Sequence, residues 1–217
     1  VAIARHDGTG DPVVFLGAWP QTLEAWAPVW DRMGDRTRLA LDLPGFGHSA
    51  PAAMTPSRAG AFLVAALDEL GWDRVDLVAP DVGVPAALWI ATHHPDRLHG
   101  MVLSDGPGTW PAVFSADLGW MVRSRVLRWL LALDPARFVR TALRRGYVAG
   151  QAATPDVFVQ AYGDKLGPTL GYLASYPSEL PSITANARMR TPTLVLWGAD
   201  DVFVPAENAR RIAAALP

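Results

Sequence analysis

The sequence contains no cysteine and only one lysine, Lys165, beside 18 arginines. Without cysteine there are no disulfides, thiolate zinc sites, iron–sulfur clusters or thiol nucleophiles. Charge of one sign is also lacking: 19 basic and 21 acidic side chains leave a net charge of −2. That balance argues against an acidic or basic tail protein. The longest apolar run, residues 126–133, is broken by Arg128 and falls short of the ~18–20 residues of a membrane helix. The opening VAIARHDGTG has no basic-then-apolar signal pattern. What remains is a chain of 217 residues, 50% of them hydrophobic, suited to one domain with a sizeable core. We expect a cytoplasmic protein, monomeric or homodimeric, with no nucleic-acid or membrane partner.

Short apolar runs alternate with longer amphipathic stretches, the pattern of parallel strands joined by helices. Strands are predicted at 13–16, 38–43, 75–79, 101–104 and 193–197, with residues 1–5 as the remnant of another. Their near-continuous apolarity suits strands buried on both faces. Helices are predicted at 24–33, 56–70, 83–94 and 205–216; the second opens Thr55-Pro56 and closes at Gly71. The fold class is therefore α/β. From Trp110 to about Arg188 the rhythm breaks, leaving helical segments at 116–133, 135–148 and 155–175. The division expected is 1–109 and 189–217 for the core and 110–188 for an all-helical insertion. Seven arginines between Arg123 and Arg145 face one acid, Asp134, and read as a solvated helix face.

The chemistry concentrates in one turn. Between a strand ending at Ala79 and a helix starting near Val84 stands Asp81, with small residues at Ala79 and Gly83. Small–x–nucleophile–x–small is the spacing of a nucleophile elbow, because the strained apex brings strand and helix together two residues to either side. An apex carboxylate then stands at the carboxyl end of the sheet, beside a helix N-terminus. On spacing alone, Asp81 serves equally well as a simple helix cap.

Three further segments bear on the choice. Leu41-Asp-Leu-Pro-Gly-Phe-Gly-His-Ser49 resembles the D-x-P-G-x-G-x-S loop of the α/β-hydrolase superfamily. Phe15-Leu-Gly-Ala-Trp-Pro-Gln-Thr22 stands in place of its strand–H-G-x-P oxyanion loop, and Leu194-Val-Leu-Trp-Gly-Ala-Asp-Asp201 is similar to its strand–G-x-x-D. The resemblance spans essentially the whole chain, with the helical insertion as the family's cap. Aspartate at the elbow marks the branch of epoxide hydrolases and haloalkane dehalogenases. It implies a hydrolase in which Asp81 displaces a leaving group from saturated carbon, forming an alkyl ester that a histidine-activated water cleaves. Asp201 is implied as the orienting acid, with Asp200 and Asp105 as alternatives, and the N–H groups of Trp19 and Val82 as the oxyanion hole.

Within that branch, dehalogenases commonly carry Trp or Arg directly after the nucleophile, where this chain has Val82. Epoxide opening instead needs a proton donor for a basic alkoxide, a task for cap tyrosines. All four tyrosines, Tyr147, Tyr162, Tyr172 and Tyr176, fall in the insertion; Tyr162 and Tyr172 are selected, with Trp110 and Trp120 lining the pocket. The expected substrate is a small apolar epoxide, the alternatives being a haloalkane or, in another class, a hydrolase-fold binding protein without turnover. Two departures stand out. Gly17-Ala18 replaces the family's His-Gly, and no histidine follows Asp201. The family's last strand and helix are therefore expected to be absent, with the chain trimmed at both ends. No phosphate loop, dinucleotide fingerprint or metal-ligand cluster appears, so no cofactor or metal is inferred.

Overall fold

Strand β1 (Ile3–His6), β2 (Val13–Leu16), helix α1 (Ala27–Trp30) and β3 (Arg38–Leu41) open the chain. In this computed structural model, residues 1–146, 156–184 and 189–216 are described. Helix α2 (Pro56–Leu70), β4 (Val75–Pro80), α3 (Gly83–His93) and β5 (Leu98–Ser104) follow as a βαβ succession. All six described elements between β5 and the next strand are helices: α4 (Ala116–Arg123), α5 (Arg125–Leu131), α6 (Pro135–Gly146), α7 (Asp156–Ala161), α8 (Leu166–Ala174) and α9 (Tyr176–Thr184). The chain then returns to the sheet as β6 (Thr193–Leu196) and ends in α10 (Glu207–Ala215).

The strands form one sheet in the order β1-β3-β2-β4-β5-β6. Only β1 runs antiparallel; the other pairings are parallel. Crossovers through helices put layers on both faces, which is why β2 and β3 are buried at every residue. The α/β-hydrolase architecture inferred from the sequence is thus present, as a six-stranded, mostly parallel sheet flanked by helices.

Local signals account for most boundaries. Thr55 caps α2 by accepting from the Arg58 N–H, Pro56 occupies the first turn, and Gly71 ends the helix at φ 68°, where a side chain is strained. The segment 24–33 departs from expectation: it is two 3₁₀ turns, Leu23–Trp26 and Asp31–Met33, flanking a single turn of α-helix. Pro28 near the start of α1 has no N–H to give to a longer helix. Helix α9 lies beyond the expected helical segments, which end at 175; it forms with Pro181 inside it. Strand β6 differs too. It lies at the sheet edge and pairs only with β5, leaving Leu194 57% and Leu196 61% exposed instead of buried. The helical stretches 135–148 and 155–175 include residues outside those described, Tyr147 among them.

Candidate active site

The loop between β4 and α3 is two residues long, and its first residue, Asp81, has φ 47°. A non-glycine residue there is strained and persists only where the surroundings enforce it. The Asp81 N–H donates to Ser104 O at 2.7 Å and its carbonyl accepts from Val84 N at 3.1 Å. A Cβ on Gly83 would lie 3.0 Å from Leu16 Cδ1 and 3.3 Å from Ala79 Cβ, so the small residues of the elbow are required by contact. Gly106, which the sequence reading passed over, belongs to the same packing, since a side chain there would strike the Asp81 carbonyl.

Two backbone donors converge on the Asp81 carboxylate. The Trp19 N–H donates to Oδ2 at 2.8 Å, and the Val82 N–H also donates to the group. Both are the donors assigned from sequence. Burial pushes the carboxyl up to about pKa 7; the two N–H groups oppose that shift, and the nearby carboxylates of Asp201 and Asp105 add to it.

Asp81 faces a cavity of about 750 Å³ between the carboxyl ends of the strands and the helices α4, α6, α8 and α9. Its walls are largely apolar, with Trp26, Phe114, Leu118, Leu143 and Phe203 among them, and they also carry Asp105, Asp200 and Asp201. Asp105, at the end of β5, is the second non-glycine residue at positive φ (54°), and its Oδ1 accepts from Gly198 N at 3.1 Å. Burial raises its pKa first, the Gly198 N–H opposing. Asp201 Oδ1 accepts from Phe203 N (2.8 Å) and Val204 N (2.9 Å), which folds the loop after β6 onto the cavity. Three carboxylates besides Asp81 thus border one space. The one arginine in the wall, Arg145, is ion-paired with Asp117.

None of the five histidines lines this cavity. His6 and His99 sit beside Asp35 and Asp11, and His48 Nε2 lies 3.0 Å from Glu24 Oε1. His93 stacks on Trp89, with His94 alongside.

The selected tyrosines need correcting. The Tyr162 hydroxyl donates to Gln21 O and that of Tyr172 to Val82 O, both at 2.8 Å, and neither side chain lines the cavity. They brace the segment next to Trp19 and the turn at Asp81 from behind. The tyrosine in the wall is Tyr176, buried, with a hydroxyl that has no hydrogen-bond partner among the described residues. Burial raises its pKa, with Tyr172 and Asp81 adding to the shift, so the phenol stays protonated. Tyr147 lies outside the described residues. Trp110 and Trp120 are corrected as well. Trp110 packs against the main core, and Trp120 stands 69% exposed on the outer face of α4, because Gly119, Met121 and Val122 take the inner one. The tryptophans in the wall are Trp19 and Trp26; the indole N–H of Trp26 donates to Leu16 O, while the buried indole N–H of Trp19 has no partner among the described residues.

Asp42, just after β3, is a further residue that the sequence reading passed over. Its Oδ1 accepts from Leu23 N at 2.8 Å and its Oδ2 from His48 N at 3.0 Å, tying the segment that carries Trp19 to the loop 42–49. Gly17 and Gly47 enclose this carboxylate so closely that a Cβ on either would collide with it. Burial raises Asp42 to about pKa 6; the two N–H groups oppose this, Glu24 adds to it and His48 offsets it. Thr169 Oγ1 on α8 donates to Gly45 O at 2.9 Å, pinning the same loop from the helical side.

Comparisons with known proteins agree on the architecture. A profile of the alpha/beta hydrolase fold matches residues 11–217. A curated relative, the 2-hydroxy-6-oxononadienedioate/2-hydroxy-6-oxononatrienedioate hydrolase of Cupriavidus pinatubonensis, is 27% identical over 195 residues. The match covers 82% of this chain, which spans only 65% of that relative's length. Among solved structures, a thermophilic esterase from Thermogutta terrifontis superposes with a TM-score of 0.79 at 21% identity, covering 100% of this chain and 81% of that one. The epoxide hydrolase CorEH superposes with a TM-score of 0.78 at 18% identity, covering 91% and 83%. At these identities the likeness concerns the fold.

Proposed function

The chain belongs to the alpha/beta hydrolase fold family, and on that premise we propose that it is a hydrolase opening small apolar epoxides through an ester on Asp81. The observation that carries this reading is the Asp81 carboxylate itself: an acid at the strained turn, with Oδ2 held by the Trp19 N–H. A serine at this place would need a base to remove its proton; a carboxylate is a nucleophile once ionised.

In this scheme Oδ1 attacks an epoxide carbon, that carbon's bond to the ring oxygen breaks, and the Tyr176 hydroxyl protonates the departing alkoxide. Water then adds to the ester carbonyl, giving one proton to the Tyr176 phenolate left by the first step while the charge collects on Oδ2 between the Trp19 and Val82 N–H groups. Collapse breaks the ester C–O bond, the leaving oxygen takes the remaining proton of that water, and the diol departs with the Asp81 carboxylate restored. Asp201 is assigned as the acid bordering the reacting centre, Asp105 as its alternative. No histidine among the described residues lines the cavity, so the water relies on the Tyr176 phenolate in place of an imidazole, and we expect the second step to be the slower one. An uncharged substrate fits a wall holding three carboxylates besides Asp81 and a single, already paired arginine. A dioate such as the Cupriavidus relative's name specifies does not.

The unpartnered indole N–H of Trp19 favours a second reading, a haloalkane substrate by the same ester route, because ring N–H groups suit a halide. The experiment is intact-protein mass spectrometry with styrene oxide and, separately, 1-bromobutane. We expect styrene oxide to give an adduct of one substrate mass on Asp81, diol following slowly, and Tyr176→Phe to slow the adduct by about 10²-fold. Bromide release without an epoxide adduct establishes the second reading. Failure of both on folded protein leaves a binding protein of this fold.

The pH dependence of adduct formation follows from burial of the nucleophile. Only ionised Asp81 attacks, so with its pKa at about 7 the rate falls roughly tenfold per pH unit below 6 and levels off above 8. A single-turnover pH profile checks this; a rate flat between pH 5 and 9 excludes Asp81 as the titrating nucleophile.

A further inference from the structure

Helix α5 is apolar over a wide arc, only part of which is covered. Leu127 and Leu131 turn inward against the core. Val126, Trp129 and Leu130, with Leu133 just beyond, follow one helical stripe by their spacing and are 68%, 63%, 50% and 64% exposed. Trp120 on the adjoining α4 is 69% exposed. Contiguous exposed side chains of this size mark a surface that meets something apolar.

Charge narrows the choice. Residues 116–146 hold seven arginines against Asp117 and Asp134, a net +5 within a chain of net −2. Arg140 and Arg145 are ion-paired, and Arg128 is spent on the Met121 and Val122 carbonyls. Arg123, Arg125, Arg137 and Arg144 are exposed and make no ion pair within the described residues. The reading of these arginines as a solvated face therefore accounts for only part of the surface, since an exposed aliphatic and tryptophan stripe lies between Arg125 and Arg137 in the chain.

We propose that the α4–α5 face docks on an anionic lipid surface, the stripe entering the headgroup boundary and the arginines pairing with lipid phosphates. Tryptophan, valine and leucine exposed on a helix that Arg123 and Arg125 introduce is the composition of an interfacial helix. A second copy of the chain fits less well, because a two-fold contact through this face sets arginine against arginine. Nucleic acid offers no partner for the aliphatic residues. No helix of the described residues is long and apolar enough to cross a membrane. Binding here leaves Asp81 untouched, since none of the stripe residues lines the cavity.

The test is co-sedimentation with vesicles of phosphatidylcholine, pure or with about one-third phosphatidylglycerol. We expect an apparent partition coefficient at least about tenfold higher on the anionic vesicles, falling with salt. The double variant W129E/L130E lowers it about tenfold, while its circular dichroism and its Asp81 adduct stay as in the parent. Should that variant fold poorly, brominated lipid quenches the parent's tryptophan emission and W129F removes part of the quenching. Equal partition on both vesicles overturns the proposal. So does binding that W129E/L130E retains, or a concentration-dependent dimer that W129E/L130E abolishes.

Discussion

Asp81→Asn is expected to abolish adduct formation with epoxide and haloalkane alike, by at least about 10⁴-fold, and at the same time to make the protein more stable above neutral pH. Both effects come from one carboxylate. An amide oxygen is too weak a nucleophile to displace an alkoxide, while Asn tolerates positive φ and still offers an acceptor to the Trp19 N–H. The stability gain follows from linkage. The Asp81 pKa is about 7 when folded against 3.8 as its reference, so between those values the folded chain binds more protons than the unfolded one. Stability from this group is therefore full below pH 3.8 and is lost as pH rises through 7. Above that, holding the buried anion costs up to roughly 4 kcal/mol, which the neutral Asn does not incur. Urea unfolding of parent and variant at pH 5 and pH 8 checks it: the two curves separate at pH 8 and draw together at pH 5. Equal separation at both values refutes the linkage, and a residual adduct on the variant refutes the nucleophile.

Asp42→Ala is expected to cost about 3 kcal/mol of stability and about 10²-fold in the rate of adduct formation, although Asp42 does not line the cavity. The stability loss arises because the Leu23 and His48 N–H groups both lose their acceptor in a buried setting. The rate loss arises because the segment from Gly17 to Leu23 carries the Trp19 N–H, and a freer loop spreads that donor over many positions. Asp42→Asn keeps one acceptor and brings an amide N–H against the other donor, so it recovers part of the rate. A loss of kcat with KM unchanged identifies a positioning role; unfolding with normal kcat in the folded fraction identifies a purely structural one.

The sheet was legible in the sequence because buried parallel strands write themselves as short apolar runs, and Val13–Leu16 appears where it was expected. The elbow was legible because its small residues meet at van der Waals contact, which leaves no freedom at Ala79 and Gly83. Side-chain direction was not. Tyr172 and Tyr176 are four apart, a helical neighbour spacing, yet Ser175 divides α8 from α9 and breaks the register. One hydroxyl accordingly reaches the Val82 carbonyl and the other opens on the cavity. Asp42 was hidden for a similar reason: its motif shows a loop, while its partners Leu23 and His48 become neighbours only when β2 and β3 pair. On α5 the eye follows the arginines, and only the exposure of Trp129 and Leu130 reveals what lies between them.

The enclosure of Asp42 by Gly17 and Gly47 also constrains how this region diverges. A side chain at 17 or 47 needs the Asp42 carboxylate to move aside, and moving or shortening it takes the acceptor from the Leu23 and His48 amides. A change at either glycine is therefore felt in the segment that carries Trp19, several residues from the glycine itself.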